Sequence, residues 1–86
     1  MYNIHLTKQA QKDAEKVERA GLKQKAVEII QTIRKNPYEE SQGFEKLKGD
    51  LKGAFSRRIN RQHRFVYEID AKENIVKVLS MWTHYE

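Results

Sequence analysis

The apolar pattern of the chain changes its period at Pro37, and this change constrains the fold more than any other feature. Before Pro37, apolar residues recur every three or four positions, which is typical of amphipathic helices. Well after it, they alternate with polar residues, which is typical of half-buried strands. A residue before proline is pushed out of the helical region, so the preceding helix must end at Asn36. The sequence therefore predicts helices before this point and mainly strands after it.

The predicted elements form a single α+β domain over residues 1–86. Tyr2, Ile4 and Leu6 alternate with polar residues and indicate a short first strand. Thr7 is a good cap for the first helix and Gly21 a good stop. A second helix is predicted over residues 22–35 and a polar loop over residues 38–50. Three further strands are predicted over residues 53–60, 64–69 and 75–82. The expected order is β-α-α-β-β-β, with two helices packed on a small, mainly antiparallel sheet.

Composition narrows the classes of function. The net charge of +5 favours an anionic partner such as nucleic acid or an acidic protein, although surplus charge can also serve solubility alone. The chain has no cysteine, so disulfides and thiolate metal sites are excluded, and a reducing cytoplasm suits it. We expect no membrane association, because no apolar run approaches the ~20 residues that span a bilayer and no signal-peptide pattern opens the chain.

Positive charge is concentrated between Lys46 and Arg64, where seven Lys or Arg residues accompany a single acid, Asp50. Strand alternation predicts an apolar face against the helices and an open face on the other side. The apolar face would include Phe55, Ile59, Phe65, Tyr67 and Ile69, and the open face Ser56, Arg58, Arg64 and Glu68. The last strand is apolar on both sides, so its register stays open.

Two arginines from adjacent predicted strands, Arg58 and Arg64, would lie side by side on the open face. Like charges so close repel each other, unless an anion normally lies between them. A guanidinium can bind a phosphate through two parallel hydrogen bonds. Alternatively, both side chains are solvated or pair with Glu68 and Asp50. The spacing alone leaves both interpretations open.

The histidines do not form a metal site by their spacing, and no glycine-rich phosphate loop is present. His5 is expected at the surface or in packing, and His63, at a turn, in a structural role. His84 lies near the terminus, where an imidazole can transfer a proton at neutral pH but is more often idle. The residues alone therefore indicate a small basic domain and little more.

A resemblance to a known family adds to this. Residues 43–67 resemble the central signature of the YoeB/Txe toxins, which belong to the RelE/ParE superfamily of bacterial type II toxin–antitoxin modules. The family pattern is an acid, Leu-Lys, Leu-x-Gly, an aromatic residue before Ser-Arg-Arg-Ile, then His-Arg and a closing His-Tyr. The matching residues are Glu45, Leu47-Lys48, Leu51 to Gly53, Phe55, Ser56 to Ile59, His63 to Tyr67, and His84-Tyr85.

The resemblance implies a microbial-ribonuclease-like, RelE-type fold and a ribosome-dependent mRNA endoribonuclease that inhibits translation. Cleavage would need neither metal nor cofactor and would leave a 2′,3′-cyclic phosphate. Glu45 falls at the position of the general base, Arg64 at that of the phosphate-stabilising arginine, and His84 at that of the general acid. Three further residues fall at substrate-binding positions, namely Lys48, Arg58 and Tyr85.

The partners implied by the resemblance are the ribosome, mRNA and an acidic, partly disordered, YefM-like antitoxin. Operator DNA would be bound only through the antitoxin complex, and a homodimer is possible. The chain departs from the family pattern at Phe44, where a proline is common, at Phe55, where Trp is common, and at Glu86, which follows the closing His-Tyr. The alternatives are a ParE-like gyrase poison and a basic corepressor without catalysis. ParE-like relatives would not be expected to keep Glu45, Arg64 and His84 together.

Overall fold

The structure is a computed structural model that describes residues 1–83, and side chains as far as Trp82. This part of the chain forms a five-stranded sheet with two α-helices. The elements are β1 (Asn3–Leu6), α1 (Lys8–Arg19), α2 (Lys23–Lys35), β2 (Glu45–Lys46), β3 (Ala54–Arg58), β4 (Arg64–Asp70) and β5 (Ile75–Thr83). The strand order is β1-β5-β4-β3-β2, with β1 parallel to β5 and every other pair antiparallel. The predicted α+β fold is confirmed.

The prediction of a polar loop over residues 38–50 is wrong in part. Strand β2 lies within that range and pairs with β3, with Glu45 opposite Ser56 and Lys46 opposite Phe55. A 3₁₀ turn at Gly49–Leu51 follows it. Both β2 side chains are exposed, so the strand has no alternation of apolar and polar residues from which it could be recognised.

The helices begin and end where the sequence predicts. The hydroxyl of Thr7 accepts a hydrogen bond from the Ala10 amide (3.0 Å) and so caps α1. Gly21 adopts a φ of 76°, and the Leu22 amide then reaches the carbonyl of Val17 (2.9 Å), closing the helix end. Both helices contribute to a core whose fully buried members include Ala10, Ile29, Ile33, Phe65, Tyr67, Val76 and Val78. Within residues 1–83, no helix is both long and apolar enough to cross a membrane.

Irregular pairing explains why both faces of β5 are apolar. The register runs from Tyr67 opposite Val78 to Val66 opposite Ser80, and then to Arg64 opposite Thr83. At two points, therefore, β5 has one residue more than the stretch of β4 opposite it, as in a β-bulge. Each extra residue exchanges the faces, so a strict alternation of apolar residues is lost.

A buried carboxylate in α1 fixes this irregular end of β5. Asp13 is 2% exposed, and its Oδ2 accepts hydrogen bonds from the amides of Met81 (3.0 Å) and Trp82 (3.3 Å). Its Oδ1 accepts a third bond from Gln9 (2.8 Å). The side chain thus supplies partners for buried amides in the part of β5 that directly precedes Thr83.

We expect Asp13→Ala to lower the free energy of unfolding by about 2–3 kcal/mol, because it leaves the buried amide of Met81 and the partly buried amide of Trp82 without their partner. Urea unfolding followed by circular dichroism measures this loss. The control is Glu15→Ala at an exposed position of the same helix, which should change the stability by less than about 0.5 kcal/mol. Equal effects of the two substitutions would contradict the role of Asp13.

Candidate active site

Two arginines lie directly opposite each other on neighbouring strands. Arg58 at the end of β3 pairs with Arg64 at the start of β4, as the sequence predicts. The side chain of Arg58 is exposed, whereas only 16% of the Arg64 side chain is exposed. Opposed cations repel each other, so this end of the sheet favours an anion.

The carboxylate of Glu45 lies beside this arginine pair. One oxygen of Glu45 is 3.6 Å from Nη2 of Arg64, while Nη1 of Arg64 points to the Gly43 carbonyl and the Ser56 hydroxyl, each at 3.4 Å. The predicted alternative partners, Glu68 and Asp50, do not pair with Arg64. Because the Glu45 side chain is 56% exposed, its ion pair stabilises the fold weakly, and the carboxylate is accessible to a ligand.

The prediction that Ser56 lies on an open face is wrong in one respect, its exposure. Ser56 has the expected strand parity, but it is fully buried rather than open. The guanidinium of Arg64 lies within hydrogen-bond distance of its hydroxyl and helps to cover it. The small side chain at this position thus leaves room for Arg64 to lie along the sheet.

Gly43 determines how the chain enters β2. Its φ is 69°, a conformation that other residues rarely adopt. A Cβ atom at this position would be 3.0 Å from Cβ of Arg58. The backbone of Gly43 can therefore approach Arg58 closely. The carbonyl of Gly43, which lies two residues before Glu45, accepts a hydrogen bond from Arg64.

Of the remaining predicted site residues, the structure describes only Lys48. Lys48 follows β2, is exposed, and lines a groove of about 290 Å³ together with Lys46 and Lys52. It forms no hydrogen bond or ion pair with another side chain of residues 1–83. Thr83, the last described residue, lies opposite Arg64 in the sheet. Two predicted site residues, His84 and Tyr85, lie outside the described part of the chain, as does Glu86.

The other two histidines, His5 and His63, form no hydrogen bond or ion pair with Glu45 or Arg64. His63 stacks on Trp82, with ring centroids 3.7 Å apart, and its buried Nδ1 has no hydrogen-bond partner within residues 1–83. His5 is exposed on strand β1. Among the described residues, no three His, Cys, Asp or Glu side chains are grouped to hold a metal ion.

Sequence reasoning missed the role of Arg57, which it counted only among the basic residues. Arg57 is fully buried, and its Nε donates to the Tyr67 hydroxyl (3.0 Å). Its Nη atoms donate to backbone carbonyls of the loop that joins α2 to β2, at Pro37 (3.2 Å), Glu39 (2.7 Å) and Ser41 (2.9 Å). A signal was present, because position 57 has the same strand parity as the predicted inward residues on either side of it.

The Tyr67 hydroxyl completes this buried network by donating to the Pro37 carbonyl (2.8 Å). Burial raises the pKa of Tyr67 above its ordinary value of 10.0, and the charge and hydrogen bond of Arg57 offset part of the rise. The folded protein therefore holds this proton more tightly than the unfolded chain does.

This linkage predicts a loss of stability at alkaline pH. The contribution of Tyr67 is complete below its unfolded pKa of 10.0 and is lost as the pH rises through the higher folded value. We expect the difference in unfolding free energy between the parent protein and Tyr67→Phe to shrink as the pH rises above 10.0 toward the higher folded value. Urea titrations at each pH measure this difference, in which the other titrating groups cancel. A difference that is constant with pH would contradict the raised pKa.

Fold and site together define a small α+β protein with a cationic sheet face and a carboxylate next to paired arginines. The model of the YoeB-like toxins of bacterial type II toxin–antitoxin systems matches residues 6–85, and the chain belongs to this family. The toxin YoeB of Synechocystis is 36% identical over 58 residues, which cover 67% of this chain and 65% of that toxin.

Solved structures agree with this assignment. A YoeB/ParE toxin from Agrobacterium tumefaciens superposes with a TM-score of 0.87 at 30% identity, covering 96% of this chain and 99% of that chain. YoeB of Staphylococcus aureus is similar both in its complex with YefM (TM-score 0.82, 35% identity, 99% of each chain) and as a dimer (TM-score 0.84, 36% identity, 98% of each chain).

Proposed function

We propose that the protein is a toxin that cleaves mRNA on the ribosome. The observation that supports this best is the Glu45 carboxylate, exposed and 3.6 Å from the Arg64 guanidinium, which lies opposite Arg58. This arrangement can hold a phosphate between the arginines while the carboxylate faces an adjacent hydroxyl. Membership of the YoeB-like family supports the same assignment.

In the proposed reaction, Glu45 removes the proton from a ribose 2′-hydroxyl, and the 2′-oxygen attacks the adjacent phosphorus. Arg64 and Arg58 stabilise the charge that builds up on the non-bridging oxygens, a term typically worth ~3–4 kcal/mol per donor. The bond from phosphorus to the 5′-oxygen breaks, and that oxygen takes a proton from His84. The products are a 2′,3′-cyclic phosphate and a free 5′-hydroxyl. The chemistry needs no cofactor, and DNA lacks the attacking hydroxyl.

Binding would rely on the cations around the reacting group. Lys48 and Arg58 are both exposed and would contact the RNA backbone, with Tyr85 as the third substrate-binding residue. Few groups are available for proton transfer, so the ribosome would supply much of the acceleration by orienting the mRNA. Ribosomes also place this activity in the cytoplasm.

The proposed regulator is an acidic, partly disordered antitoxin of the YefM kind, since the similar Staphylococcus aureus YoeB forms a complex with YefM. Such a chain would complement the net charge of +5 and cover the arginine pair. Operator DNA would be bound only through that complex. A homodimer is proposed from the dimeric Staphylococcus aureus structure.

Single substitutions test the reaction. We expect Glu45→Gln to reduce cleavage of translated mRNA by ~10²–10⁴-fold, the range usual for a general acid–base group, while ribosome binding persists. His84→Gln should slow departure of the 5′-oxygen, and Arg64→Ala should damage the rate at least as much as Glu45→Gln. Primer extension on an mRNA in a translation extract measures the cuts. The matched control is Glu68→Gln, also exposed and on the same side of the sheet, which should cleave at the parental rate.

Parental cleavage by both Glu45→Gln and His84→Gln would rule out this mechanism. If these variants also stopped growth without cutting mRNA, inhibition in a gyrase supercoiling assay would then favour the ParE-like alternative. Loss of cleavage together with normal ribosome binding separates catalysis from a purely binding or corepressor role.

Electrostatic docking of the antitoxin predicts salt-dependent association. We expect the association rate of the cognate antitoxin to fall severalfold from low to physiological salt, because opposite charges steer the encounter. Stopped-flow measurement with Arg58→Gln should show a slower rate and a weaker salt dependence. Lys12→Gln, an equal charge change at an exposed position of α1, is the control and should change the rate less. A rate independent of salt would indicate apolar docking.

A further inference from the structure

We infer that Arg57 is a positioning residue: its buried guanidinium fixes the loop over residues 37–42 and thereby places the Glu45 carboxylate against Arg64. The inference rests on the function proposed above. Arg57 itself is a fully buried residue of strand β3 and would not touch RNA.

The guanidinium of Arg57 carries a positive charge that is buried. No carboxylate of residues 1–83 forms an ion pair with Arg57. Its charge is instead met by backbone carbonyls at alternate loop positions, Pro37, Glu39 and Ser41. A buried charge is costly unless its donors are satisfied. Movement of the loop away from Arg57 would therefore break the three hydrogen bonds that satisfy its Nη atoms.

Hydrogen bonds connect this loop to the site. The carbonyl of Gln42 accepts a hydrogen bond from the Arg58 amide (2.7 Å), and the Phe44 amide bonds back to Ser41 (3.0 Å). The next carbonyl along the loop, that of Gly43, accepts from Arg64. The short run of chain from the anchored Ser41 to Glu45 leaves the carboxylate little freedom.

Strand β2 is weakly held by its own pairing. It contains only Glu45 and Lys46, both exposed, and it pairs with β3 alone at the edge of the sheet. The neighbouring ring of Phe44 stacks on Phe55 at 5.5 Å, and the guanidinium of Arg57 lies 4.9 Å from the centre of that ring. The carboxylate therefore depends on contacts that converge on Arg57.

A double-mutant cycle tests the inference. Arg57→Lys keeps the charge, but a lysine ammonium lacks the planar fork that reaches separate carbonyls. We expect it to reduce kcat for cleavage on programmed ribosomes by about 10–100-fold, with KM nearly unchanged, because Glu45 is displaced. In a Glu45→Gln background the same change should cost less than about twofold, since the group being positioned is already lost. Equal losses in both backgrounds would overturn the inference.

Two further measurements guard against a general folding defect. Tyr67→Phe removes only the hydroxyl that bonds Arg57 and Pro37, and it should lower kcat in the same direction but less. Ile29→Val, a core change in α2, should leave kcat at the parental value. If Arg57→Lys does not fold, the test passes to Tyr67→Phe, which lacks the hydrogen bond between Arg57 and the Tyr67 hydroxyl. An unchanged kcat in Tyr67→Phe would then overturn the inference.

Hydrogen exchange separates this inference from the proposed function. Arg57→Lys should speed exchange at the amides of Phe44 and Leu47, while amides between β4 and β5 keep their protection. If Glu45→Gln cleaves normally, the proposed function fails, yet faster exchange at Phe44 still supports the positional role. Unchanged exchange at Phe44 overturns that role whatever the cleavage result.

Discussion

The burial of the Arg57 guanidinium is the constraint on which the described site depends. A charge removed from water costs several kcal/mol unless each donor finds a partner of good geometry. The partners here are a tyrosine hydroxyl on β4 and carbonyls of the loop between α2 and β2. These bonds order a segment that has almost no regular structure, and that segment leads directly into the strand of Glu45. The hydrogen bonds that satisfy the buried charge of Arg57 thus also fix the position of Glu45.

Consecutive arginines play opposite parts because a strand alternates its side chains. Arg57 points into the protein and is fully buried, while Arg58 points to the other side and is exposed. The first is satisfied within the chain, whereas the second lies opposite another cation and has no ion-pair partner in residues 1–83. The difference lies in strand parity, not in residue type. A basic run in a sequence is therefore informative only after each member has been assigned to a face.

Much of the fold follows from the sequence because strong local signals agree with it. Thr7, Gly21 and the Asn36-Pro37 pair mark the helix ends, and alternation marks β3 and β4. The side-by-side arrangement of Arg58 and Arg64 also follows from alternation. Strand β2 could not be predicted, since two exposed residues contain no periodicity and form a strand only through pairing with β3.

The irregular register of β5 was equally hidden from sequence reasoning, because it depends on tertiary contacts. The buried carboxylate of Asp13, 68 residues away from Met81 in the chain, accepts the amide bonds of that region. Helical spacing placed residue 13 between the apolar positions of α1 but gave no sign of its partner. Nor could the spacing of charges show that Arg64 pairs with Glu45 rather than with Glu68 or Asp50.

The weakness of the Glu45–Arg64 contact is itself informative about the proposed reaction. At 3.6 Å and with the carboxylate more than half exposed, the pair contributes little to stability. It does offset part of the repulsion between the two arginines while no ligand is bound. A phosphate bound between Arg58 and Arg64 would replace Glu45 as the counter-charge. The carboxylate would then be released next to the ribose at the step that needs a base, so substrate binding and activation of the base would be one event.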